Sequence, residues 1–215
     1  MTENGYEYVD LGLPSGTMWA TCNLGANKPE EPGLLFQWGR TDGYKNGDKN
    51  HKFRKAIQNC IDTGDLYIPQ TKTGKLYKCD ECDEILDLED DAAYVNMGGK
   101  WRMPTKDQFQ ELIDNTSKKI RIINNKHGLL FVSKNNGNSL FIPFGGYWDI
   151  YDGFIEIERI TYLWTSQATL TENNNLHAYF CLLKKDEKYL DIYSRITPCF
   201  RCYGQNVRGV FVNEK

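Results

Sequence analysis

The sequence predicts an α+β fold, and three observations support that prediction. Short apolar segments separated by Pro and Gly turns occupy the first 40 residues, two helix signals lie between residues 88 and 115, and strand patterns dominate the remainder. An order of strands, helices and again strands favours an antiparallel sheet over alternating β–α–β units. The chain shows no internal repeat and no linker composition, so we expect residues 1–215 to form a single domain.

The N-terminal part combines short strands with a long loop. Residues 8–11 and 18–24 have strand-like patterns, and the Pro/Gly turn at residues 13–16 separates them. Residues 41–84 are rich in Lys, Asp and Gly, so we predict that they form a long loop insertion.

Two helices are predicted in the middle of the chain. The first covers residues 88–97, with three acidic side chains in its first turn and a Gly pair after its end. The second begins after Thr105, which forms a capping box with Gln108, and it ends near Asn115.

The chain from Ile120 onward has the pattern of strands. Residues 129–133 and 139–143 flank an Asn-Gly turn, and this arrangement predicts a hairpin. Further strands are predicted at residues 161–165, 178–183, 189–193 and 206–212.

Composition and charge narrow the possible functions. The formal net charge of −3 gives no clustered positive field that could bind nucleic acid. The sequence contains no run of 18 apolar residues that could insert into a membrane. The N-terminus lacks the basic and apolar segments of a signal peptide, which predicts a cytoplasmic protein, or a virion component that becomes extracellular by cell lysis. The seven Cys residues are odd in number, so free thiols are expected.

Four stretches, taken in chain order, resemble a known family. They are residues 8–26, residues 90–93 with 101–105, residues 133–139 with 141–143, and residues 201–204 with 207–208. Together they are similar to the Fibrobacter major paralogous domain family. The resemblance implies a fold related to C-type lectins and formylglycine-generating enzymes, with two helices and a mainly antiparallel twisted sheet. It also implies an origin in gut bacteria or their phages, where some receptor-binding proteins of similar fold carry diversified side chains on C-terminal strands and loops.

The C-terminal half contains the candidate binding residues, because stiff aromatic side chains beside Asn, Asp and Arg are typical of binding faces. Strand alternation places four of them, Tyr189, Asp191, Tyr193 and Arg195, on one side of their strand. The alternative is a structural β-face whose rings cover the core. The candidate ligand-binding residues are Trp148, Asp149, Tyr151, Asp152, Phe154, Asn173, Asn174, Asn175, His177, Tyr189, Asp191, Tyr193 and Arg195.

Two C-x-x-C pairs are weak candidates for a metal site. Cys79 with Cys82 and Cys199 with Cys202 could supply four thiolates to zinc, form disulfides or remain free thiols. Acidic residues 87–91 could bind calcium, or they could form a helix start with a solvated face. The sugar-binding motifs of calcium-dependent lectins are absent from the sequence.

These observations predict a non-catalytic ligand-binding module that needs no cofactor. The expected setting is a phage virion or a surface-adhesion protein that recognises a host glycan or a host-surface protein, without binding nucleic acid. One alternative is a metal-dependent oxidase related to formylglycine-generating enzymes, although the surroundings of Cys181, Cys199 and Cys202 do not match that active site. The other alternative is a purely structural assembly protein that contacts another virion protein.

Overall fold

The computed structural model of the chain describes residues 1–45, 69–77, 84–149, 154–155, 158–169, 177–185 and 192–212. Strands and bridges make up 49% of this part of the chain, and helices make up 12%. The strands form a four-stranded sheet, two three-stranded sheets and a two-stranded ribbon. The fold is therefore β-rich, and the prediction of an α+β, C-type lectin-like domain is wrong.

Both helices lie where the sequence predicts them, but they are too short to balance the strands. A 3₁₀ turn at Leu88–Asp90 precedes helix α1, Ala92–Met97, and helix α2 spans Lys106–Asn115. Neither helix, nor any other in the described ranges, is long and apolar enough to cross a membrane. The prediction of fold class is wrong because the two helix signals, although clear, cover few residues. Strand patterns fill most of the other described segments.

The start of α2 confirms the predicted capping box. Thr105 Oγ1 accepts a hydrogen bond from Gln108 N at 3.2 Å, and Gln108 Oε1 accepts one from Thr105 N at 2.9 Å. These two backbone N–H groups, which have no acceptor inside the helix, are paired within the capping box. The three-residue spacing of Thr105 and Gln108 is therefore enough to locate the start of this helix.

The first sheet joins both ends of the described chain. Its strands are β1 (Thr2–Glu3), β2 (Tyr6–Asp10), β3 (Thr17–Asn23) and β12 (Arg208–Val212), in the order β1-β2-β3-β12.

Arg208, at the start of β12, is fully buried and tethers this sheet to its neighbours. Its guanidinium donates to Asn23 Oδ1 at 2.8 Å, to the Ala20 carbonyl at 3.0 Å and to the Phe141 carbonyl at 3.2 Å. Burial lowers the pKa of Arg208 to about 10, which still leaves the guanidinium charged at neutral pH.

The second sheet contains the predicted hairpin. Strand β5 (Lys126–Ser133) pairs with β6 (Ser139–Pro143) around the Asn-Gly turn, and this pairing confirms the prediction. Strand β4 (Thr116–Ile123) pairs with the other side of β5 through a two-residue turn. Asn124 and Asn125 form that turn with φ of +47° and +61°, the left-handed conformation that tight hairpins require and that Asn tolerates.

The third sheet carries the C-terminal half in the order β11-β10-β9. Its strands are β9 (Ile160–Thr169), β10 (His177–Lys185) and β11 (Ile192–Phe200). The strand predicted at residues 189–193 overlaps β11 only at its end, because residues 189–191 lie outside the described part. A short ribbon of β7 (Tyr147–Trp148) and β8 (Phe154–Ile155) lies beside this sheet.

The core of the described chain consists of three apolar clusters, and the two larger ones share several strands. On β9, Trp164 belongs to one cluster and Leu163 to the other; on β10, Phe180 and Cys181 divide in the same way. Because successive side chains of a strand point to opposite faces, such strands are buried on both sides. This explains the continuous apolar run at residues 178–183 of β10.

The predicted loop insertion at residues 41–84 lies mostly outside the described residues. Tyr44 pairs with Leu35 in an isolated bridge, and residues 69–77 pass over Trp38 and Arg201.

Candidate functional site

Many predicted site residues lie outside the described residues. These are Tyr151, Asp152, Asn173, Asn174, Asn175, Tyr189 and Asp191, together with Cys79 and Cys82. Phe154 belongs to β8 by its backbone. The structure also describes Trp148, His177, Tyr193 and Arg195. It describes Asp149 as well, which is buried.

Trp148 is half-buried and is held by its backbone and by its packing. Its backbone exchanges two hydrogen bonds with Gly204, at 2.8 and 2.9 Å, and its ring packs against the buried residues Tyr44 and Cys202. A Cβ on Gly204 would lie 3.1 Å from the Trp148 Cβ, so glycine permits this close approach.

The neighbouring residue, Tyr147, lies in a chain of aromatic contacts that we call the aromatic row. The ring of Tyr147 stacks on that of Tyr162 with centroids 3.9 Å apart and an interplanar angle of 7°. The chain of contacts continues from Tyr147 to Tyr203 at 6.3 Å, from Tyr203 to Phe200 at 5.8 Å, and from Phe200 to His177 at 4.4 Å. All five side chains are half-buried, so each retains some exposed surface.

From Tyr162, a line of side chains continues across one face of the third sheet through strand register, whereas His177 and Phe200 point to the other face at the end of β10 and β11. Tyr162 on β9 lies opposite Leu182 on β10, and Leu182 lies opposite Arg195 on β11. Directly opposed residues of antiparallel strands share a face, so this line extends roughly 10 Å beyond Tyr162, which is two strand spacings. Leu182 is half-buried and Arg195 is exposed.

Tyr193 and Arg195 form the outer end of this surface. Both are exposed, and the Arg195 guanidinium carbon lies 5.7 Å from the centroid of the Tyr193 ring. Arg195 also donates to Thr197 Oγ1 at 3.2 Å. Alternation along β11 places these three side chains on the face that includes Leu182, as the strand pattern predicts.

Tyr147 and Tyr162 contact each other face to face, whereas the other pairs of the aromatic row are tilted or more than 6 Å apart. Tyr147 has Tyr162 on one side and Tyr203 on the other, and Tyr162 also contacts Phe180 at 4.3 Å. Burial, followed by a hydrogen bond with the Tyr147 side chain, raises the pKa of Tyr162, so its hydroxyl stays protonated at neutral pH. The row therefore presents ring edges and neutral hydroxyl groups to a ligand.

No family model matches the chain, and neither a curated protein nor a solved structure is significantly similar to it. The resemblance to the Fibrobacter family stays a prediction from the sequence.

The C-terminal thiols are poorly suited to catalysis or to metal binding. Burial raises the pKa of Cys181, and burial followed by the charge of Cys202 raises the pKa of Cys199. Protonated thiols are weak nucleophiles and weak ligands. No disulfide joins Cys199 to Cys202, and the described part of the chain contains no group of three or more His, Cys, Asp or Glu arranged for a metal ion.

Two of the acidic residues near α1 are engaged in structural hydrogen bonds. Asp90 is buried and accepts from the Thr73 hydroxyl at 2.6 Å and the Tyr77 hydroxyl at 2.7 Å. Asp91 caps α1 and accepts backbone hydrogen bonds from Tyr94 and Met103, both at 2.9 Å. The Asp90 oxygens hold the loop at Thr73 and Tyr77, and the Asp91 oxygens hold the start of α1. Structural hydrogen bonds therefore occupy two of the four acidic side chains considered as calcium ligands.

Sequence analysis missed the residues that connect the site. Tyr162, Leu182 and Tyr203 lie on segments that are far apart in sequence, and only strand register brings them together. Tyr147 adjoins a predicted residue and could have been included, because an aromatic pair in a Gly-rich segment is a visible signal.

Proposed function

We propose that this chain is a non-catalytic binding module whose ligand is a protein surface. The observation that carries the proposal is the aromatic row, with five half-buried rings in unbroken contact, continued by Leu182 to exposed Arg195. Tyr and Arg contribute more binding energy in protein interfaces than most residue types do. Rings that already support one another lose little conformational entropy on binding.

The arrangement of the rings favours a protein ligand over a glycan. The electron-rich face of an aromatic ring is the part that attracts the C–H groups of a sugar. In the aromatic row, Tyr147 and Tyr162 use those faces on each other, and Arg195 lies near the face of Tyr193. The remaining hydroxyls, ring edges and guanidinium suit the backbone and polar side chains of a protein.

The proposed setting is adhesion or receptor binding, with a host-surface protein as the partner and a phage virion as one possible carrier. A contact with another virion protein would use the same chemistry. The buried, protonated thiols speak against the oxidase alternative, because copper chemistry of that type needs accessible thiolates.

The test uses Tyr193→Ala and Arg195→Ala, with Tyr6→Ala as the matched control. Tyr193 is 41% exposed and Tyr6 is 42% exposed, but Tyr6 lies on the first sheet. Wild type is screened on parallel arrays of purified bacterial surface proteins and of glycans, and each hit is titrated with the three variants. We expect a protein hit whose dissociation constant rises roughly tenfold or more for each site variant and less than threefold for the control.

Three outcomes would contradict the proposal. They are hits on glycans alone, equal affinity of wild type and both site variants for every protein hit, and no hit on either array. Stoichiometric copper bound through thiols would favour the oxidase alternative.

A further inference from the structure

The hairpin of β4 and β5 carries a concentration of positive charge. Residues 116–138 contain five Lys or Arg residues and no Asp or Glu, although the whole chain has a formal charge of −3. The local charge therefore opposes the charge of the rest of the molecule, and such segregation commonly marks a contact with an anionic partner.

Strand geometry decides which of these cations face outward. Lys118 is half-buried and its Nζ donates to the Ile113 carbonyl at 2.9 Å, so this side chain lies against the core. Lys119 and Arg121 point to the opposite, outer face, about 7 Å apart along β4. Lys126 lies opposite Ile123 on β5, and its register places it on the same outer face, diagonal to Arg121.

These three outward cations, which we call the basic face, have no competing partner. Lys119, Arg121 and Lys126 are all exposed, and none forms an ion pair or hydrogen bond with any residue that the structure describes. An anionic ligand would therefore not have to displace an internal carboxylate.

The surroundings of the basic face are flat and aliphatic. Leu130 and Val132 alternate with the cations on the same side of the hairpin. The Phe141 ring lies over Gly128, where a Cβ would come within 2.4 Å of it, and this ring is only 6% exposed. No exposed aromatic ring is present on this face among the described residues of the hairpin.

The hairpin is held against the body of the protein. Asn124, in its turn, donates to Glu30 Oε1 at 2.6 Å. The basic face is thus a fixed platform and not a projecting arm.

We propose that the basic face binds a sulfated polysaccharide. Concentrations of Lys and Arg are typical of contacts with heparin-like chains or with nucleic acid. Duplex DNA carries one charge per 1.7 Å, and proteins that bind it commonly make roughly 6–10 phosphate contacts, more than three cations supply. Single-stranded nucleic acid needs exposed rings for stacking, which this face lacks. A polysaccharide with more widely spaced sulfates matches three cations about 7 Å apart.

The experiment measures binding of a heparin hexasaccharide by full-length protein at 50 mM salt. The test variant is Lys119→Glu/Arg121→Glu, and Lys119→Gln/Arg121→Gln removes the charges without reversal. The matched control is Lys72→Glu/Lys100→Glu, which makes the same change in net charge at two exposed lysines on other segments. Circular dichroism and urea unfolding verify that each variant is folded.

We expect charge reversal to weaken binding more than tenfold, neutralisation to weaken it by a smaller factor, and the control to change it less than threefold. Three participating cations predict that the logarithm of affinity falls with the logarithm of salt concentration with a slope of roughly −2 to −3. The proposal is independent of the aromatic row, so Tyr193→Ala is expected to bind the hexasaccharide like wild type.

Several results would overturn this proposal. The first is no hexasaccharide binding by wild type at 50 mM salt, and the second is an equal loss in the control variant. Binding of a 12-nucleotide DNA, single-stranded or duplex, that is tighter than hexasaccharide binding and equally sensitive to charge reversal would identify nucleic acid as the partner. Equal competition by poly-glutamate would show that the face binds anions without selecting sulfate.

Discussion

Asp91 is a buried carboxylate whose ionisation should oppose folding. The residue is only 2% exposed, and burial raises its pKa from 3.8 to about 6 even though backbone N–H groups of Tyr94 and Met103 donate to it. Desolvation therefore outweighs those hydrogen bonds, which on their own would lower the pKa. The perturbation that tests this balance is Asp91→Asn, which keeps an acceptor oxygen at the start of α1 and removes the titration.

The sign follows from proton binding. Between pH 3.8 and about 6 the folded protein holds more protons at Asp91 than the unfolded chain does, so this group contributes stability that is lost as pH rises through that window. A difference of about two pKa units corresponds to about 3 kcal/mol. That is a large part of the 5–15 kcal/mol that typically stabilises a folded protein.

The assay is urea unfolding of wild type and Asp91→Asn at several pH values between 3.5 and 7.5, in about half-unit steps chosen to span both pKa values. We expect the free energy of unfolding of wild type, relative to that of the variant, to be about 3 kcal/mol larger at pH 3.5 than at pH 7.5. Glu89→Gln, which removes an exposed carboxylate in the preceding turn, is the control for the loss of one charge. A wild-type advantage that is constant with pH, or that grows as pH rises, would refute the reasoning.

Three further perturbations test the packing and capping described above. Arg208→Met should lower the free energy of unfolding by roughly 3–5 kcal/mol, because it leaves three buried oxygens without their donors; a loss below about 1 kcal/mol in urea unfolding would contradict this. A double-mutant cycle of Tyr77→Phe and Asp90→Asn should give a coupling of about 1.5–3 kcal/mol, as expected for a hydrogen bond to a charged acceptor, and additive effects would rule that bond out. Thr105→Ala should cost about 1 kcal/mol through loss of the capping box, with Thr105→Ser close to wild type; equal losses in both variants would show that the hydroxyl is not the cause.

The two proposed surfaces differ in chemistry and in position. The aromatic row lies beside the third sheet, and the basic face lies on the outer side of the second sheet. One offers aromatic rings and hydroxyls, and the other offers three cations that pair with no residue in the described part of the chain. Separate variants affect each surface, so the loss of one binding activity would leave the other proposal intact.

Local features of the fold were predicted well because a few adjacent residues determine them. The capping box of Thr105 and the Asn-Gly turn of the β5–β6 hairpin each depend on contacts between residues within four positions of each other in the sequence. The predicted balance of helix and strand was wrong, because a clear helix signal says nothing about how many residues the other elements contain. The predicted site stays a prediction: Tyr193 and Arg195 share one exposed face of β11, and register places His177 on the opposite face of the sheet.

The sequence by itself determined where α2 begins, where the β5–β6 hairpin turns, and which half of the chain is richest in aromatic and Asn side chains. Each of these depends on short-range chemistry or on composition. Only the tertiary structure decided that Trp148 packs inward and that Tyr147, Tyr162 and Tyr203 form one row. The physical reason is that strand register and ring stacking join residues distant in sequence, and a shift of one residue in register would send every side chain of the strand to the opposite face.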